Sequence, residues 1–541
     1  MPTQKSKKKS KSKLKKKGKP AAPKISKKEL AARARQRAKD IQKAIGALVT
    51  FGGLGAVVGI ALFFVADPKL ALAGGGGIAV LGISFKYPMW GLWGFLIYMP
   101  FAGTITYWIG GGSPIFQLAK DGFYIPAIIA IGLWCKNTGN PFIIPKALKN
   151  PLYLLLGFCL VTLICVNGLQ HLDPPRPGDK PLFMGILGLK VFIGYLPLIT
   201  AAYYQIKGKK ELLFAARLTL ILAIICCLLG LMQYQYLSSG KCQGTRGKQG
   251  DELFRATLEA KCLVGGSLVF SPEVGMIRLP GTFVAPWQWG WFLIANAAFT
   301  FASAFSDPNP LWRIGGLFGM ALVFVNAVIS GQRIALALVP VVTIILLVLT
   351  GQVANLKRFL PIGIGLGAVL GIAMVSNPAV VQQRIDSFVS RWNASPPTDF
   401  ISQQFEESGH AQDGVFGNGL GRATNSVRVF GRTRLIETYY PKLIYEIGPI
   451  GTIGFLILVT TITFTGFKAY RSVKDKNLRS FGASYWVFVL IISYNTYYYP
   501  LDVDPVAVYY WYFAGIVFRL PEIDKQEQKR LAAEAEMENR N

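Results

Sequence analysis

Apolar runs long enough to cross a bilayer recur from one end of this chain to the other, and no other feature constrains its fold as strongly. A membrane-spanning helix needs about 20 mostly apolar residues. Fourteen runs approach or exceed that length: 44–66, 70–86, 88–109, 122–135, 151–168, 183–205, 212–237, 286–305, 311–330, 333–350, 359–376, 441–467, 480–499 and 503–520. Only 16% of the residues are charged, too few to cover a soluble protein. We therefore expect an all-α polytopic membrane protein with about 14 transmembrane helices.

The numbers of Lys and Arg in the loops predict which side of the membrane each loop faces. Short cytoplasmic loops carry an excess of these residues. If the amino terminus is cytoplasmic and each run crosses once, the loops richest in Lys and Arg share the cytoplasmic side: 136–149, 207–210, 357–358 and 468–479. We therefore expect an inner (plasma) membrane protein with both termini in the cytoplasm.

This orientation divides the chain into cytoplasmic tails, groups of transmembrane helices and long outer loops. The parts are a basic tail (1–43), transmembrane helices (44–237, 286–376 and 441–520), two long periplasmic loops (238–285 and 377–440) and a carboxy-terminal tail (521–541). Most of the motifs described below fall in or beside the two periplasmic loops.

The basic tail, residues 1–43, contains 15 Lys and 3 Arg against two acidic residues. Such a charged segment cannot bury apolar surface and is expected to be disordered. Its two interpretations are nucleic-acid binding and attachment to anionic lipid headgroups. No aromatic residue precedes Phe51 to stack on bases, and a membrane helix follows directly. We therefore favour lipid headgroups as the partner and expect no nucleic acid.

Two cysteines, Cys242 and Cys262, lie in the first periplasmic loop, whereas the other five lie in or beside apolar runs. A pair in a loop that faces an oxidising compartment favours a disulfide over two free thiols. The chain has only two histidines, His171 and His410, and neither a CxxC nor an HExxH motif. We therefore expect no metal site and no cofactor.

Several arginines and glycines stand at the predicted outer ends of the spans, where they form short motifs. In chain order these are Arg278-x-x-Gly281-Thr282-Phe283, Ser330-Gly331-Gln332-Arg333, Arg391-Trp392, Gly417-Asn418-Gly419-Leu420-Gly421, the arginines 422, 428, 432 and 434, Glu437-Thr438, and Glu446-Ile447-Gly448. A guanidinium binds phosphate oxygens bidentately and stays charged when partly desolvated, so converging arginines would hold a diphosphate. A nearby carboxylate could deprotonate an attacking sugar hydroxyl. Glycines let backbone approach a bulky ligand.

Each motif also has a purely structural interpretation. A single arginine at a helix end commonly extends its charge to the membrane interface. The glycine run 417–421 is also typical of a flexible turn. In the loop 377–440 six arginines stand against six acidic residues, so its arginines can pair internally. The functional interpretation therefore depends on the order and grouping of the motifs.

That order resembles the O-antigen ligase and polysaccharide polymerase family. Its members carry R-x-x-G-T-F before one span, S-G-x-R between two others, and then a long periplasmic loop with R-[LW] and G-x-G-x-G. A helix that begins with His-Asn and ends with E-x-G follows. The resemblance covers roughly residues 270–470, and the lysine-rich tail also resembles cyanobacterial proteins of hormogonium polysaccharide synthesis. One departure is that Glu437-Thr438 occupies the His-Asn position.

The resemblance implies a metal-independent membrane glycosyltransferase, either a polymerase or a ligase, in exopolysaccharide biosynthesis. The donor would be a glycan on a polyprenyl diphosphate, and the acceptor a glycan or glycolipid hydroxyl. The catalytic residues would be Arg278, Arg333 and Glu437, with the arginines on the diphosphate and Glu437 as the base. The substrate-binding residues would be Arg391, Arg432, Arg434, Gly417, Gly419 and Gly421.

Two other functions fit a chain of this composition. A transporter or flippase would move lipid-linked sugars without forming a bond, and such proteins often contain structural repeats with charged, broken helices at mid-membrane. We find no repeat between the halves, and the informative charges gather at one face, which favours surface chemistry. The third interpretation is a non-catalytic scaffold of a synthesis and export complex, which the basic tail and the substitution at Glu437 leave open.

Overall fold

The computed structural model describes residues 27–65, 67–253, 257–271, 276–352 and 396–540, with isolated positions between 378 and 393. Within these residues the chain is mostly helical, and its one sheet is an antiparallel pair of strands, β1 (Val269–Ser271) and β2 (Met276–Arg278). The α-helices are α1 (Lys27–Val65), α2 (Pro68–Lys86), α3 (Pro88–Tyr98), α4 (Pro114–Thr138), α5 (Lys149–Thr162), α6 (Leu169–Leu172), α7 (Pro181–Ile193), α8 (Leu198–Gln205), α9 (Lys209–Ser238), α10 (Pro286–Ser306), α11 (Pro310–Ile329), α12 (Arg333–Leu349), α13 (Pro397–His410), α14 (Tyr439–Ser472), α15 (Lys476–Tyr494) and α16 (Val506–Arg540).

Eight helical segments in the described part of the chain are long and apolar enough to cross a membrane. They are Ile41–Val65, Pro68–Lys86, Leu118–Thr138, Lys146–Leu172, Pro181–Gln205, Lys209–Ser238, Pro310–Ile329 and Tyr439–Ser472. The chain is therefore an all-α, multi-pass membrane protein, as its composition predicted. The remaining predicted runs coincide with helices too, except 359–376, which lies outside the described residues.

Several of the predicted runs are not single continuous α-helices, among them 88–109, 183–205 and 480–499. The run 88–109 is broken into α3, a 3₁₀ turn at Met99–Phe101 and a π-helix at Thr104–Ile109. Pro100 in that turn has no N–H to continue the α-helical pattern. The run 480–499 ends early, because α15 stops at Tyr494 and the chain then forms an irregular connection to α16.

The predicted disordered tail is wrong over residues 27–43, since α1 begins at Lys27. This stretch is rich in Ala, Leu, Arg, Gln and Lys, which favour helix. It is also continuous with an apolar helix, so no new helix has to be nucleated. Residues 1–26 lie outside the described residues. At the other terminus, α16 continues as a helix to Arg540 and so includes most of the predicted tail.

The connections between helices fall into two groups. The connections of each group contact one another. One group is joined by backbone hydrogen bonds from Gly103 to Thr282, Leu279 to Ser330, Lys180 to Phe430, and Tyr498 to Glu437. The other is joined by polar contacts of Lys209 with Asp475, Arg217 with Asp307, and Lys474 with Asp524. We call these the loop end and the basic end of the bundle. They are the two groups that the charge distribution predicts to face opposite sides.

Candidate functional site

The motif that begins at Arg278 is a rigid turn between β2 and α10. Gly281 has φ +56°, and a Cβ there would lie 2.4 Å from the ring of Trp289, so only glycine fits this turn. Gln233 fixes the turn further, because its side chain accepts a hydrogen bond from Gly281 N–H at 3.0 Å and donates one to Gly281 C=O at 3.2 Å. The backbone that carries Arg278 is therefore held in one conformation.

The disulfide expected from the sequence packs against the strand that leads into this turn. Cys242 and Cys262 are bonded to each other. Cys262 packs in a small apolar core with Ile277 and Leu279, the residues on either side of Arg278. The disulfide-bonded segment thus helps to position the strand that ends in Arg278.

The two arginine motifs are neighbours in space although about 50 residues separate them in the chain. Leu279 N–H donates to Ser330 C=O at 2.9 Å, and three residues further on Arg333 begins α12. Among the described residues, the buried Nε of Arg278 has no hydrogen-bond partner. A buried guanidinium donor without a partner needs an explanation, and a bound anion would supply the acceptor.

Glu437 lies in the extended segment before α14, where its backbone is fixed on both sides. Its N–H donates to Gln404 Oε1 of α13 at 3.1 Å, and its C=O accepts from Tyr498 N–H at 3.0 Å. The next residue, Thr438, pairs with Tyr497 as an isolated β-bridge. The candidate base is therefore placed against the connection between α15 and α16.

Arg333 and Glu437 both lie near enough to Tyr497 for their charges to act on it. Burial raises the pKa of Tyr497 above its ordinary value, and Tyr498 adds to the rise; the positive charge of Arg333 opposes it and the carboxylate of Glu437 adds to it. Both charges therefore lie close enough to act on one hydroxyl, which stays protonated at neutral pH. The ring of Phe400 from α13 lies 5.9 Å from that of Tyr497. We call Arg333, Phe400, Glu437, Tyr497 and Tyr498 the Tyr497 cluster.

Sequence reasoning missed the tyrosines of this cluster. Tyr498 and Tyr499 have φ of +57° and +29°, which is strained for residues with a bulky side chain. Tyrosine counts as apolar, so these positions merged into the predicted span 480–499. The Pro500 that follows, with Asp502 and Asp504 beyond it, was the available signal that the helix ends before them.

The glycine run packs against α14 where that helix is broken. Asn418 N–H donates to Tyr445 C=O at 2.8 Å, and Gly419 N–H donates to Glu446 C=O at 3.1 Å. A Cβ on Gly417 would lie 2.6 Å from the backbone nitrogen of Gly448, and one on Gly421 would lie 2.3 Å from Met184 C=O. The close approach that these glycines allow is to the protein itself, so packing accounts for Gly417, Gly419 and Gly421 without a ligand.

A buried group of charges holds this glycine run to the rest of the loop end. Glu446 Oε1 accepts from Ala423 N–H at 2.7 Å and from the Thr424 hydroxyl at 2.9 Å. Lys442 Nζ lies 3.7 Å from the other carboxylate oxygen and also forms an ion pair with Asp502. The side chains of Lys442 and Glu446 are each 1% exposed. We call Ala423, Thr424, Lys442, Glu446 and Asp502 the Glu446 clamp; its Lys442 and Asp502 were missed by sequence reasoning.

Arg422, Arg432 and Arg434, which follow the glycine run, contact residues outside the Tyr497 cluster. Arg422 is buried and bonded to Gln170 at 2.7 Å and to Asp179 at 3.3 Å. It therefore pairs with the connection before α7 and not, as the structural interpretation expected, with an acidic residue of its own loop. Arg432 and Arg434 are exposed. The backbone N–H of Arg432 donates to Asp179, and the guanidinium of Arg434 lies 5.5 Å from the ring centre of Tyr445. Arg391 lies outside the described residues.

The geometry thus separates the predicted site residues into two sets. Arg333 and Glu437 both act on Tyr497, and the Arg278 motif is bonded to the turn that precedes Arg333. The glycines and Arg422 are instead packed and bonded within the protein. No model of a known protein family matches the chain, and no curated protein is significantly similar to it in sequence. The resemblance to O-antigen ligases and polymerases stays a prediction.

Proposed function

We propose that this chain is a membrane glycosyltransferase, a polymerase or ligase that transfers a glycan from a polyprenyl diphosphate to a sugar acceptor in exopolysaccharide biosynthesis. The observation that carries the proposal is that the segment of Glu437 is bonded to Tyr497 and Tyr498 at the loop end, near enough to Arg333 for both charges to act on Tyr497. A cation for a phosphate and a carboxylate for a proton are the two groups that such a transfer needs. The hydrogen bond between the Arg278 and Arg333 motifs supports it further.

In the proposed reaction Arg278 and Arg333 bind the diphosphate, and Glu437 accepts the proton of the acceptor hydroxyl. The hydroxyl oxygen attacks the anomeric carbon of the donor glycan. The bond from this carbon to the diphosphate oxygen breaks, and its electron pair leaves with the polyprenyl diphosphate. The two guanidinium groups stabilise the charge that develops on this leaving group.

The membrane topology that belongs to this proposal has 14 spans in the inner membrane, both termini in the cytoplasm and the loop end in the periplasm. Its support is that the connections predicted to be periplasmic contact one another at the loop end. Loops rich in Lys and Arg then face the cytoplasm. The basic amino-terminal segment would lie against anionic headgroups of the inner leaflet.

Alanine substitution of the two arginines tests the function. Arg333→Ala and Arg278→Ala should each abolish polymer production, measured as cell-surface polysaccharide, while protein level and topology stay unchanged. Arg471→Ala, an exposed arginine in the last turn of α14, is the matched control and should leave polymer unchanged. Normal polymer amount and length in both test variants would refute the enzyme.

Arg278→Lys tests the geometry of the contact. If the contact with the diphosphate is bidentate, this variant should also make no polymer, and full activity would reduce the role of Arg278 to its charge.

A transporter or flippase is the second candidate, and partly buried ion pairs favour it. Lys120 of α4 pairs with Asp504, and Lys190 of α7 lies 2.8 Å from Asp121. Charged side chains within membrane helices often mark a transport route. Vesicles that contain the purified protein and a fluorescent lipid-linked sugar separate the two functions, since the enzyme forms a glycosidic bond and the transporter moves the lipid across the bilayer unchanged.

A further inference from the structure

We propose that Tyr497 and Tyr498 form a platform that binds a sugar ring of the glycan substrate, an inference that rests on the proposed function and names what its site recognises beside the diphosphate. The two rings are perpendicular, with an interplanar angle of 87° and centres 4.6 Å apart. Both residues are partly exposed at the loop end. Together with Phe400 they form an aromatic surface next to Glu437 and Arg333.

The backbone of this platform is strained and held in place. A non-glycine residue at positive φ is strained and persists only where its surroundings enforce that conformation. Here the surroundings do so through three hydrogen bonds. They run from Tyr498 N–H to Glu437 C=O at 3.0 Å, from Tyr439 N–H to Thr496 C=O at 2.6 Å, and from Trp291 Nε1–H to Tyr498 C=O at 3.3 Å.

This strain is informative because an easier residue was possible. Glycine or asparagine would adopt φ +57° at lower cost than tyrosine does at position 498. A tyrosine at such a position indicates that its ring is needed there, where it packs against Tyr497. Strained backbone of this kind clusters at binding and active sites.

The chemistry around the rings favours a sugar over the polyprenyl chain. The faces of aromatic rings carry partial negative charge and attract the C–H groups on the apolar side of a sugar. The sugar's hydroxyls then need donors and acceptors around the rim, and Glu437, Arg333 and the tyrosine hydroxyls supply both. An isoprenoid chain carries no group that could form a hydrogen bond with these side chains. The platform therefore fits a polyhydroxylated ring.

Binding to the purified full-length chain in nanodiscs tests the platform with two probes. One probe is undecaprenyl diphosphate, and the other is a size-fractionated set of oligosaccharides from the source organism's own exopolysaccharide. Tyr497→Leu, at a position with ordinary φ, should weaken oligosaccharide binding about tenfold, as expected for loss of one aromatic contact. It should leave the affinity for undecaprenyl diphosphate unchanged. Tyr498→Phe, which keeps the ring, should retain most of the oligosaccharide affinity.

The matched control is Tyr494→Ala, an exposed tyrosine at the end of α15, which should leave both affinities unchanged. If undecaprenyl diphosphate does not bind the unaltered chain, the proposed function fails. If it binds and Tyr497→Leu keeps full affinity for the oligosaccharides, the platform is refuted while the function stands. Loss of both affinities together in Tyr497→Leu, or of stability measured by thermal unfolding, would also refute the platform, because the residue would then be structural.

Discussion

The Tyr497 cluster and the Glu446 clamp lie at the same end of the bundle and use the same two chain segments, yet they differ in almost every physical property. Lys442 and Glu446 in the clamp are 1% exposed and bonded to each other and to neighbouring segments. In the cluster the side chains are partly exposed and the backbone is strained. Tyr499 lies between them, since the charges of Glu437 and Asp502 both act on it. The difference favours a supporting role for the clamp in the fold. It favours substrate binding for the cluster, as the proposed function requires.

The clamp has the properties of a positioning device. Buried ion pairs contribute little net stability compared with apolar residues of the same size, because desolvation offsets their attraction. Their hydrogen bonds do, however, specify geometry. Glu446 fixes the backbone at Ala423, and Lys442 ties α14 to Asp502. The segments that lead to Glu437 and that follow Tyr498 are thereby fixed relative to one helix.

The largest expected effect is on the rate of glycosyl transfer, and it concerns the Tyr497 cluster. Glu437→Gln should lower glycosyl transfer about 100- to 10,000-fold, the usual contribution of a general base. The amide keeps the shape of the side chain but cannot accept the proton. Transfer rates of the purified protein with a lipid-linked donor measure this loss, and thermal unfolding should show an unchanged midpoint.

Glu437→His sharpens the same test, because histidine stands at this place in the family that the motifs resemble. If the side chain serves as a base, histidine should restore much of the activity lost in Glu437→Gln. An active Glu437→Gln protein would contradict the assigned role and shift the chemistry to another residue. Activity in neither variant, with normal folding, would mean that the carboxylate is needed for more than proton transfer.

The second-largest expected effect is on the free energy of unfolding, and it concerns the Glu446 clamp. Lys442→Met leaves the carboxylates of Glu446 and Asp502 buried without their cation, and removing one partner of a buried ion pair costs about 3–5 kcal/mol. We expect a strongly lowered midpoint of thermal unfolding in detergent. The control is Lys468→Met, because Lys468 is an exposed lysine of the same helix, 4.3 Å from the ring centre of Phe464. Equal stability of the two variants would show that the clamp is not a structural element.

The sequence predicted the helical membrane architecture because apolar runs report the requirement of the bilayer directly. It also predicted the disulfide between Cys242 and Cys262. It could not predict the pairing of Lys442 with Asp502, 60 residues away in the chain, since nothing local marks two charges as partners. The strained tyrosines were missed because apolar character does not distinguish an aromatic connection from the end of a helix.

The third effect is smaller and concerns how the clamp holds the glycine run. Gly417→Ala forces a positive φ on alanine and places its Cβ 2.6 Å from the nitrogen of Gly448, so we expect destabilisation by about 1–3 kcal/mol plus the effect of the clash. Gly414→Ala is a close control, because Gly414 has φ +65° but no atom within 4 Å of the added carbon. The difference between the two unfolding midpoints isolates the packing against α14. No difference would mean that the run can move away from the helix.

The smallest expected effect tests whether Arg434, which follows the glycine run, contacts the substrate or is only a surface residue. Arg434 is exposed and rests on Tyr445, and such a cation–π contact at an exposed site contributes about 0.5–1 kcal/mol. If this contact is its whole role, Arg434→Ala lowers stability by that amount and leaves the transfer rate within about twofold of the unaltered protein. A raised KM with unchanged stability would instead make Arg434 a substrate contact, as the resemblance implies. The substrate-binding surface would then extend from the Tyr497 cluster to Arg434 and Tyr445, next to the Glu446 clamp.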